Sequence, residues 1–170
     1  IIPEIEALEV NTLQEIENDG TTVIPNARAT KITMNRDKIR DLASKKLDLK
    51  TPKFDYASSA EELIRKADVF KFPIIIKPIM SSSGKGQSLI NKKEDLQNGW
   101  ECAIKGSRGN SNKIIIEEFI DFDIEITLLT IRQKDGSTLF CDPIGHQQSK
   151  GDYQCSWQPA ILNNKQLEQA

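Results

Sequence analysis

The spacing of apolar residues along the first fifty positions predicts helices. Residues 12–16 have the spacing of a short amphipathic helix, which Asp19 and Gly20 should end. Residues 27–45 are rich in helix formers and predict one long helical connector with an apolar face. Thr51 and Pro52 should end that connector, because the residue before a proline disfavours helix.

Strands and helices alternate through the middle of the chain. Apolar runs predict strands at residues 53–56, 72–78, 88–90 and 113–118. Capping boxes at residues 58–62 and 91–94 each predict the start of a helix, the first running to about residue 69. This order predicts an α+β fold in which strands and helices pack in two layers.

The last fifty residues have a weaker pattern. Residues 125–131 predict one strand, which should pair with residues 138–141 through a turn at Asp135 and Gly136. Beyond Gly145 the chain is mostly polar and predicts loop, with a helix near Asn164. His146 is interpreted as a structural residue, because no Ser or Cys nucleophile pattern accompanies it.

Composition narrows the class of protein. The chain has 170 residues, 23 Lys and Arg against 25 Asp and Glu, and no basic tract, which argues against a nucleic-acid partner. No apolar run reaches the ~20 residues that a membrane-spanning helix needs. Cys102, Cys141 and Cys155 are odd in number and far apart, as expected in a reducing cytoplasm.

The strongest chemical signal is a loop of serines and glycines at residues 81–87, set between two predicted strands and preceded by Lys77. Backbone N–H groups of such a loop can close on an anion, and Lys85 adds a positive charge. A Walker A loop is excluded, because Ile79 and Gly86 stand where that motif needs Gly and Ser or Thr. A solvated turn remains the alternative interpretation of the loop.

A second signal follows the last of the four predicted strands. Acidic and apolar residues alternate over residues 117–125, so that carboxylates could accept hydrogen bonds from ribose hydroxyls. The alternative is a half-buried strand whose acidic face is exposed to solvent. Neither segment decides between the two interpretations by itself.

Together these segments resemble the ATP-grasp superfamily. Longer strings resemble, more specifically, the family of formate-dependent phosphoribosylglycinamide formyltransferases: residues 23–31, 34–36, 76–87, 123–130, 151–153 and 156–159. The resemblance covers nearly the whole chain. It implies an ATP-grasp lid of antiparallel strands with helices at residues 51–125. It also implies the end of an N-terminal domain at 1–27, the connector at 28–50 and the start of a C-terminal subdomain at 126–170.

The resemblance also implies roles for individual residues. Arg36 would contact phosphate, Lys77 would lie beside the adenine and the α-phosphate, and Glu125 would accept from the ribose. Glu4 would contact glycinamide ribonucleotide, and no catalytic residue is assigned. The phosphate loop would be Ser82, Ser83, Gly84, Lys85, Gly86 and Gln87, and the adenine-contacting strand end would be Glu117, Glu118, Phe119 and Ile120.

The implied reaction joins formate to the amine of glycinamide ribonucleotide at the expense of ATP, through formyl phosphate. ATP and Mg²⁺ are the implied cofactors, with the magnesium ligands expected beyond Ala170 and the family's first strands before Ile1. We therefore expect a fragment of a cytoplasmic, homodimeric enzyme that is inactive by itself. The alternatives are an ATP-grasp carboxylase acting on aminoimidazole ribonucleotide and a non-catalytic nucleotide-binding module.

Overall fold

A computed structural model describes residues 1–3, 7–109, 111–149 and 152–169. The fold is α+β, as predicted, and it divides into two compact units, Ile1–Ile120 and Asp121–Ala170. The four-part domain division inferred from the resemblance stays a prediction. Within the described ranges, no helix is both long enough and apolar enough to cross a membrane.

Unit 1 is built from helices and one antiparallel sheet. Its described helices are α1 (Val10–Asn18), α2 (Ala27–Thr33), α3 (Arg36–Asp41), α4 (Ala60–Ala67) and α5 (Leu96–Gly106). A π-helical turn (Leu42–Lys46) extends α3, and a 3-10 turn (Lys93–Asp95) precedes α5. Its strands are β1 (Phe54–Ala57), β2 (Ile74–Pro78), β3 (Ser88–Ile90) and β4 (Ile114–Glu118), in the spatial order β1-β4-β2-β3.

One face of this sheet forms the main core. Ile76 of β2 lies opposite Ile116 of β4, and both are fully buried. They pack against Leu63 of α4 and Leu96 of α5, with Trp100 at the margin of the same cluster. Because side chains alternate along a strand, every second residue of β2 and β4 contributes to this core.

The opposite face of the sheet carries charge. Lys77 pairs in register with Ile115, and Glu117 pairs with Ile75, so both charged side chains point away from the main core. Tyr56 of β1 lies on the same face, opposite Ile115. The two faces therefore separate the apolar core from a polar layer.

The predicted single connector helix is wrong, because the structure breaks it between α2 and α3. Asn35 is extended (φ −117°, ψ 117°), and the backbone N–H of Arg36 donates to the carbonyl of Ile79 at 2.9 Å instead of to a helical carbonyl. The chain thus exchanges helical hydrogen bonds for a contact with the residues that follow β2. No local pattern signals such a partner.

Of the two predicted capping boxes, only the first forms. Ser59 Oγ accepts from the N–H of Glu62 at 3.1 Å, and the Glu62 carboxylate accepts from the N–H of Ser58 at 2.7 Å. At the second, the 3-10 turn begins after Lys92 with no side-chain cap, and α5 starts only at Leu96.

Unit 2 is a set of short antiparallel strands. They are β5 (Glu125–Thr127), β6 (Thr130–Arg132), β7 (Thr138–Phe140), β8 (Ile144–Ser149) and β9 (Asp152–Trp157), followed by α6 (Asn164–Gln169). The β6–β7 hairpin and α6 confirm two predictions. The predicted single strand over 125–131 is wrong, because β5 pairs with β8 while β6 pairs with β7.

The loop predicted after Gly145 is also wrong, because β8 and β9 pair over this stretch. Gly145 lies opposite Trp157, and a Cβ placed on Gly145 would be 2.5 Å from the indole ring. The ring therefore packs flat on the glycine, in keeping with a packing role for Trp157. His146 Nε2 lies 2.7 Å from Thr127 Oγ1 across the β5–β8 pair, which fits the structural interpretation of this histidine.

We expect Leu63→Ala to lower the free energy of unfolding of unit 1 by about 3 kcal/mol, because Leu63 is fully buried and its loss leaves a cavity. Ile64→Ala is the matched control. Ile64 follows Leu63 on α4 but is 37% exposed, so its replacement should lower the free energy of unfolding by less than about 1 kcal/mol. Urea titration of a Trp157→Phe background, followed by Trp100 fluorescence, reports this core. Equal losses in the two variants would contradict the assignment of the core face.

Candidate functional site

The glycine-rich loop, residues 81–87, connects β2 to β3 as predicted. Its backbone turns sharply, with positive φ at Ser83 (51°), Gly84 (67°) and Gly86 (75°). The N–H of Lys85 donates to the Ser82 carbonyl at 3.0 Å, which closes a reverse turn at the tip. Backbone N–H groups in turns of this kind can form a concavity that suits an anion.

The side chains of the loop divide between its base and its tip. Ser82 is buried at the base, whereas Ser83, Lys85 and Gln87 are exposed. Gln87 N–H donates to the Gly84 carbonyl at 3.1 Å, so the tip contains two consecutive turns. The exposed ammonium of Lys85 is therefore carried on a compact, internally bonded tip.

Arg36 joins helix α3 to the start of this loop. One of its guanidinium nitrogens, Nη1, donates to the carbonyl of Pro78 at 3.0 Å and to Ser81 Oγ at 3.1 Å. Burial lowers the pKa of Arg36, and the negative charge of Glu117 opposes that shift. The guanidinium nonetheless stays charged at neutral pH, because its pKa starts so high. It is thus a half-buried positive charge at the base of the predicted phosphate loop.

A buried carboxylate organises the charged face of the sheet. The side chain of Glu117 is only 3% exposed, and its Oε2 lies 2.7 Å from the Nζ of Lys77. Its Oε1 pairs with the guanidinium of Arg40 on α3. Both oxygens of Glu117 are therefore held by cations, one from β2 and one from α3.

This face carries a surplus of positive charge. Lys77, Arg40 and Arg36 face the single carboxylate of Glu117, whereas the nearby Lys113 is balanced by Asp37 at 2.8 Å. Three positive charges against one negative leave a local excess of two. A polyphosphate would offset that excess, so the charge pattern suits the predicted ligand.

Tyr56 fixes α3 against the sheet on the side away from the loop. Its hydroxyl lies 2.9 Å from Asp41 Oδ1 and 3.1 Å from the Asp37 carbonyl oxygen. Burial and the hydrogen bond to Asp41 raise the pKa of Tyr56 well above its ordinary value, so the phenol remains a donor at any physiological pH. Helix α3 is therefore attached to the sheet at both of its ends.

The strand end that the resemblance assigns to adenine begins at Glu117 and runs to Ile120. Glu118 is bonded to the residue before β1, because its N–H donates to the Lys53 carbonyl at 2.9 Å and its carboxylate accepts from the Lys53 N–H at 2.7 Å. Phe119 and Ile120 are exposed, at 40% and 43%. Their contact with adenine stays a prediction.

The last two predicted site residues, Glu4 and Glu125, do not belong to the described part of unit 1. Glu125 belongs to unit 2, where its Oε1 accepts from Gln148 Nε2 at 3.0 Å, and its role at the ribose stays a prediction. Glu4 lies outside the described residues, as does Gly151 of the resembling strings. In the described ranges, no group of three or more Asp, Glu, His or Cys side chains could hold a metal ion.

A cavity of about 340 Å³ opens beside the first residue of the loop. It is lined by Pro3, Leu8, Pro25, Thr30, Thr33, Met34, Met80 and Ser81. The lining combines two threonines of α2 with apolar residues outside that helix, among them Met80 after β2. The lining residues include Met80 and Ser81 but none of the loop residues 82–87.

Sequence reasoning missed two residues of this site. Arg40 follows Arg36 by one helical turn, a spacing that could have placed both on one face of α3, but nothing in the sequence indicated Glu117 as its partner. Gly106, the last residue of α5, packs against the loop backbone at Gly86. A glycine at a helix end is ordinarily interpreted as a helix stop signal, so this contact could not be expected from the sequence.

Comparison with known proteins places this arrangement in a family. Residues 42–170 match the model of the ATP-grasp domain. The chain belongs to the ATP-grasp family. It is 66% identical over all 170 residues to a formate-dependent phosphoribosylglycinamide formyltransferase of Prochlorococcus marinus (strain MIT 9313). The chain spans 44% of the length of that relative.

Solved structures confirm the ATP-grasp fold. The chain is 26% identical to glycinamide-RNase-transformylase T from Mycobacterium tuberculosis, with a TM-score of 0.70 over 99% of this chain and 44% of the other. The ADP complex of an N5-carboxyaminoimidazole ribonucleotide synthetase gives a TM-score of 0.83 at 20% identity, over 95% of this chain and 41% of the other. The second likeness, at that identity, concerns the fold alone.

We expect Glu117→Gln to lower the free energy of unfolding of this ATP-grasp unit by about 2–3 kcal/mol, because Lys77 and Arg40 lose their shared carboxylate. Glu118→Gln is the matched control in the same strand. Its side chain accepts from a backbone N–H, which an amide oxygen can still do, so its loss should stay under about 1 kcal/mol.

Chemical denaturation of the two variants, side by side, measures this difference. A Glu117→Gln variant as stable as Glu118→Gln would show that the two ion pairs contribute nothing to the fold.

Proposed function

We propose that this chain is the nucleotide-binding part of an ATP-dependent formyltransferase that joins formate to the amine of glycinamide ribonucleotide. The observation that supports this proposal most strongly is the 66% identity to a formate-dependent phosphoribosylglycinamide formyltransferase over all 170 residues. The charged face of the unit 1 sheet supports it, because it offers a polyphosphate both the glycine-rich loop and an excess of positive charge.

In this proposal each cation has a distinct task. Lys85 and the backbone N–H groups of the loop bind the outer phosphates, while Lys77 binds nearer the nucleoside. Arg36 adds charge at the loop base and keeps Pro78 and Ser81 in place. Preorganised donors of this kind stabilise the charge that spreads over a transferred phosphoryl group. Mg²⁺, where it binds, would screen the same oxygens.

The chemistry follows in two displacements. An oxygen of formate attacks the γ-phosphorus of ATP, the bond to the β,γ-bridging oxygen breaks, and ADP leaves with formyl phosphate formed. The amine of the ribonucleotide then attacks the formyl carbon, phosphate leaves, and the amine loses a proton. Since water would hydrolyse the acyl phosphate, the loop closed over the site would also protect the intermediate.

The cavity beside Ser81 is the place where we expect the ribonucleotide. It lies next to the loop base, and Pro3, which immediately precedes the predicted ribonucleotide contact Glu4, lines it. Its volume of about 340 Å³ is within the range of small-molecule pockets. Thr30, Thr33 and Ser81 are its polar lining residues.

An ATP-dependent carboxylase of aminoimidazole ribonucleotide is the second candidate. The observation in its favour is the TM-score of 0.83 to a synthetase of that kind, against 0.70 to the transformylase. Fold likeness is shared by the whole family, however, whereas sequence identity is 20% for the former and 26% for the latter. Identity therefore favours the formyltransferase.

The complete polypeptide, assayed for ADP release with each pair of substrates, separates the two candidates. We expect turnover with formate and glycinamide ribonucleotide, and none with bicarbonate and aminoimidazole ribonucleotide. The reverse result would establish the carboxylase, and binding of ATP without turnover of either pair would favour a non-catalytic module. Sedimentation of the same sample tests the homodimer that the family resemblance implies.

We expect Lys85→Ala to raise the KM for ATP by about tenfold, because a hydrogen bond to a charged group contributes roughly 1.5–3 kcal/mol. Lys92→Ala is the matched control, since Lys92 is also exposed but lies beyond β3, outside the loop. Steady-state kinetics at saturating formate measures both constants. An unchanged KM in Lys85→Ala would remove this lysine from the proposed phosphate site.

A further inference from the structure

The glycine-rich loop rests on the last turn of α5 through a contact between two glycines. A Cβ placed on Gly106 would lie 2.4 Å from both the Cα and the N of Gly86, and 2.8 Å from the carbonyl carbon of Lys85. All three are backbone atoms, which cannot rotate away as the end of a side chain can. Any other residue at position 106 must therefore displace the loop.

The contact is equally tight from the side of the loop. A Cβ on Gly86 would lie 2.7 Å from Pro78 Cγ, 3.0 Å from Gly106 Cα and 3.1 Å from the carbonyl oxygen of Cys102. Gly86 is thus held between the end of β2 and the last turn of α5. Its positive φ of 75° further restricts the position to glycine.

Helix geometry gives no other reason for glycine at position 106. Gly106 is the last residue of α5 and lies outside the left-handed region, and the following residue, Ser107, is extended (φ −68°, ψ 144°). Alanine is preferred over glycine inside a helix, so helix stability alone would favour Ala here. The close approach of the loop is what requires the glycine.

We propose that Gly106 is a positioning residue for the phosphate loop. It sets the distance between α5 and the Lys85–Gly86 backbone, and so fixes the direction in which the tip presents its N–H groups and the Lys85 ammonium. The two turns within the tip, Lys85 to Ser82 and Gln87 to Gly84, would move with it as one body. This inference rests on the proposed nucleotide site, whereas the contact itself does not.

The test uses the complete polypeptide with Gly106→Ala. We expect hydrogen exchange of the amides in residues 82–87 to accelerate severalfold without nucleotide, since the loop loses its support. The KM for ATP should rise by about tenfold while the KM for formate stays unchanged, because only the phosphate donors are displaced. Gly86→Ala disturbs the same contact from the side of the loop and should reproduce both effects.

Gly99→Ala is the matched control on the same helix. The three atoms nearest to its Cβ would all be side-chain atoms of core residues: Ile90 Cδ1 at 2.6 Å, Ile76 Cδ1 at 3.0 Å and Ile90 Cγ1 at 3.3 Å. We expect this variant to melt at a lower temperature while its loop exchange and KM for ATP stay as in the wild type. A KM effect in Gly99→Ala equal to that in Gly106→Ala would assign the effect to lost stability and overturn the proposal.

Two further outcomes separate this inference from the proposed function. If loop exchange or the KM for ATP in Gly106→Ala matches the wild type, Gly106 does not position the loop for nucleotide. If ATP fails to slow exchange of residues 82–87 in the wild type, the loop is not the phosphate site and the proposed function fails. Hydrogen exchange of residues 82–87 in Gly106→Ala, measured without nucleotide, tests the contact with α5 whether or not ATP binds at the loop.

Discussion

The burial of one carboxylate, that of Glu117, is the constraint on which the charged side of unit 1 depends. A carboxylate this far from water requires opposite charge, and the structure supplies it from two directions. Lys77 comes from the neighbouring strand, and Arg40 comes from α3. Because Arg40 is thereby tied to the sheet, Arg36 on the same helix is also in place to hold the start of the glycine-rich loop.

The two faces of the four-stranded sheet divide stability from chemistry. Alternate residues of β2 and β4 form an isoleucine core against α4 and α5, while the residues between them carry Lys77 and Glu117. A one-residue shift in register would exchange the two sets and bury the charges in the core. The rigid apolar face thus fixes the positions of the charged groups on the other.

The sequence was sufficient for most local signals, although the capping box predicted at residues 91–94 did not form. The four strands of unit 1, the Ser59 cap and the loop itself follow from alternation, capping and glycine content. It was insufficient wherever a partner is distant: Arg40 meets Glu117 across 77 positions, and the break at Asn35 depends on the carbonyl of Ile79. The β8–β9 pair was not predicted, because its side chains are mostly polar and show no alternation of apolar residues.

Arg36 holds the loop at its beginning, and Gly86 is wedged against α5 near its end. Between these anchors lie residues 82–85, of which Ser83, Gly84 and Lys85 are exposed. Ordering four residues costs backbone entropy on the order of 1–2 kcal/mol each, which the hydrogen bonds to a bound phosphate, roughly 1.5–3 kcal/mol each, would have to offset. A loop fixed at both ends can close over a phosphate only by moving its tip, so Ser83, Gly84 and Lys85 would carry the closing motion.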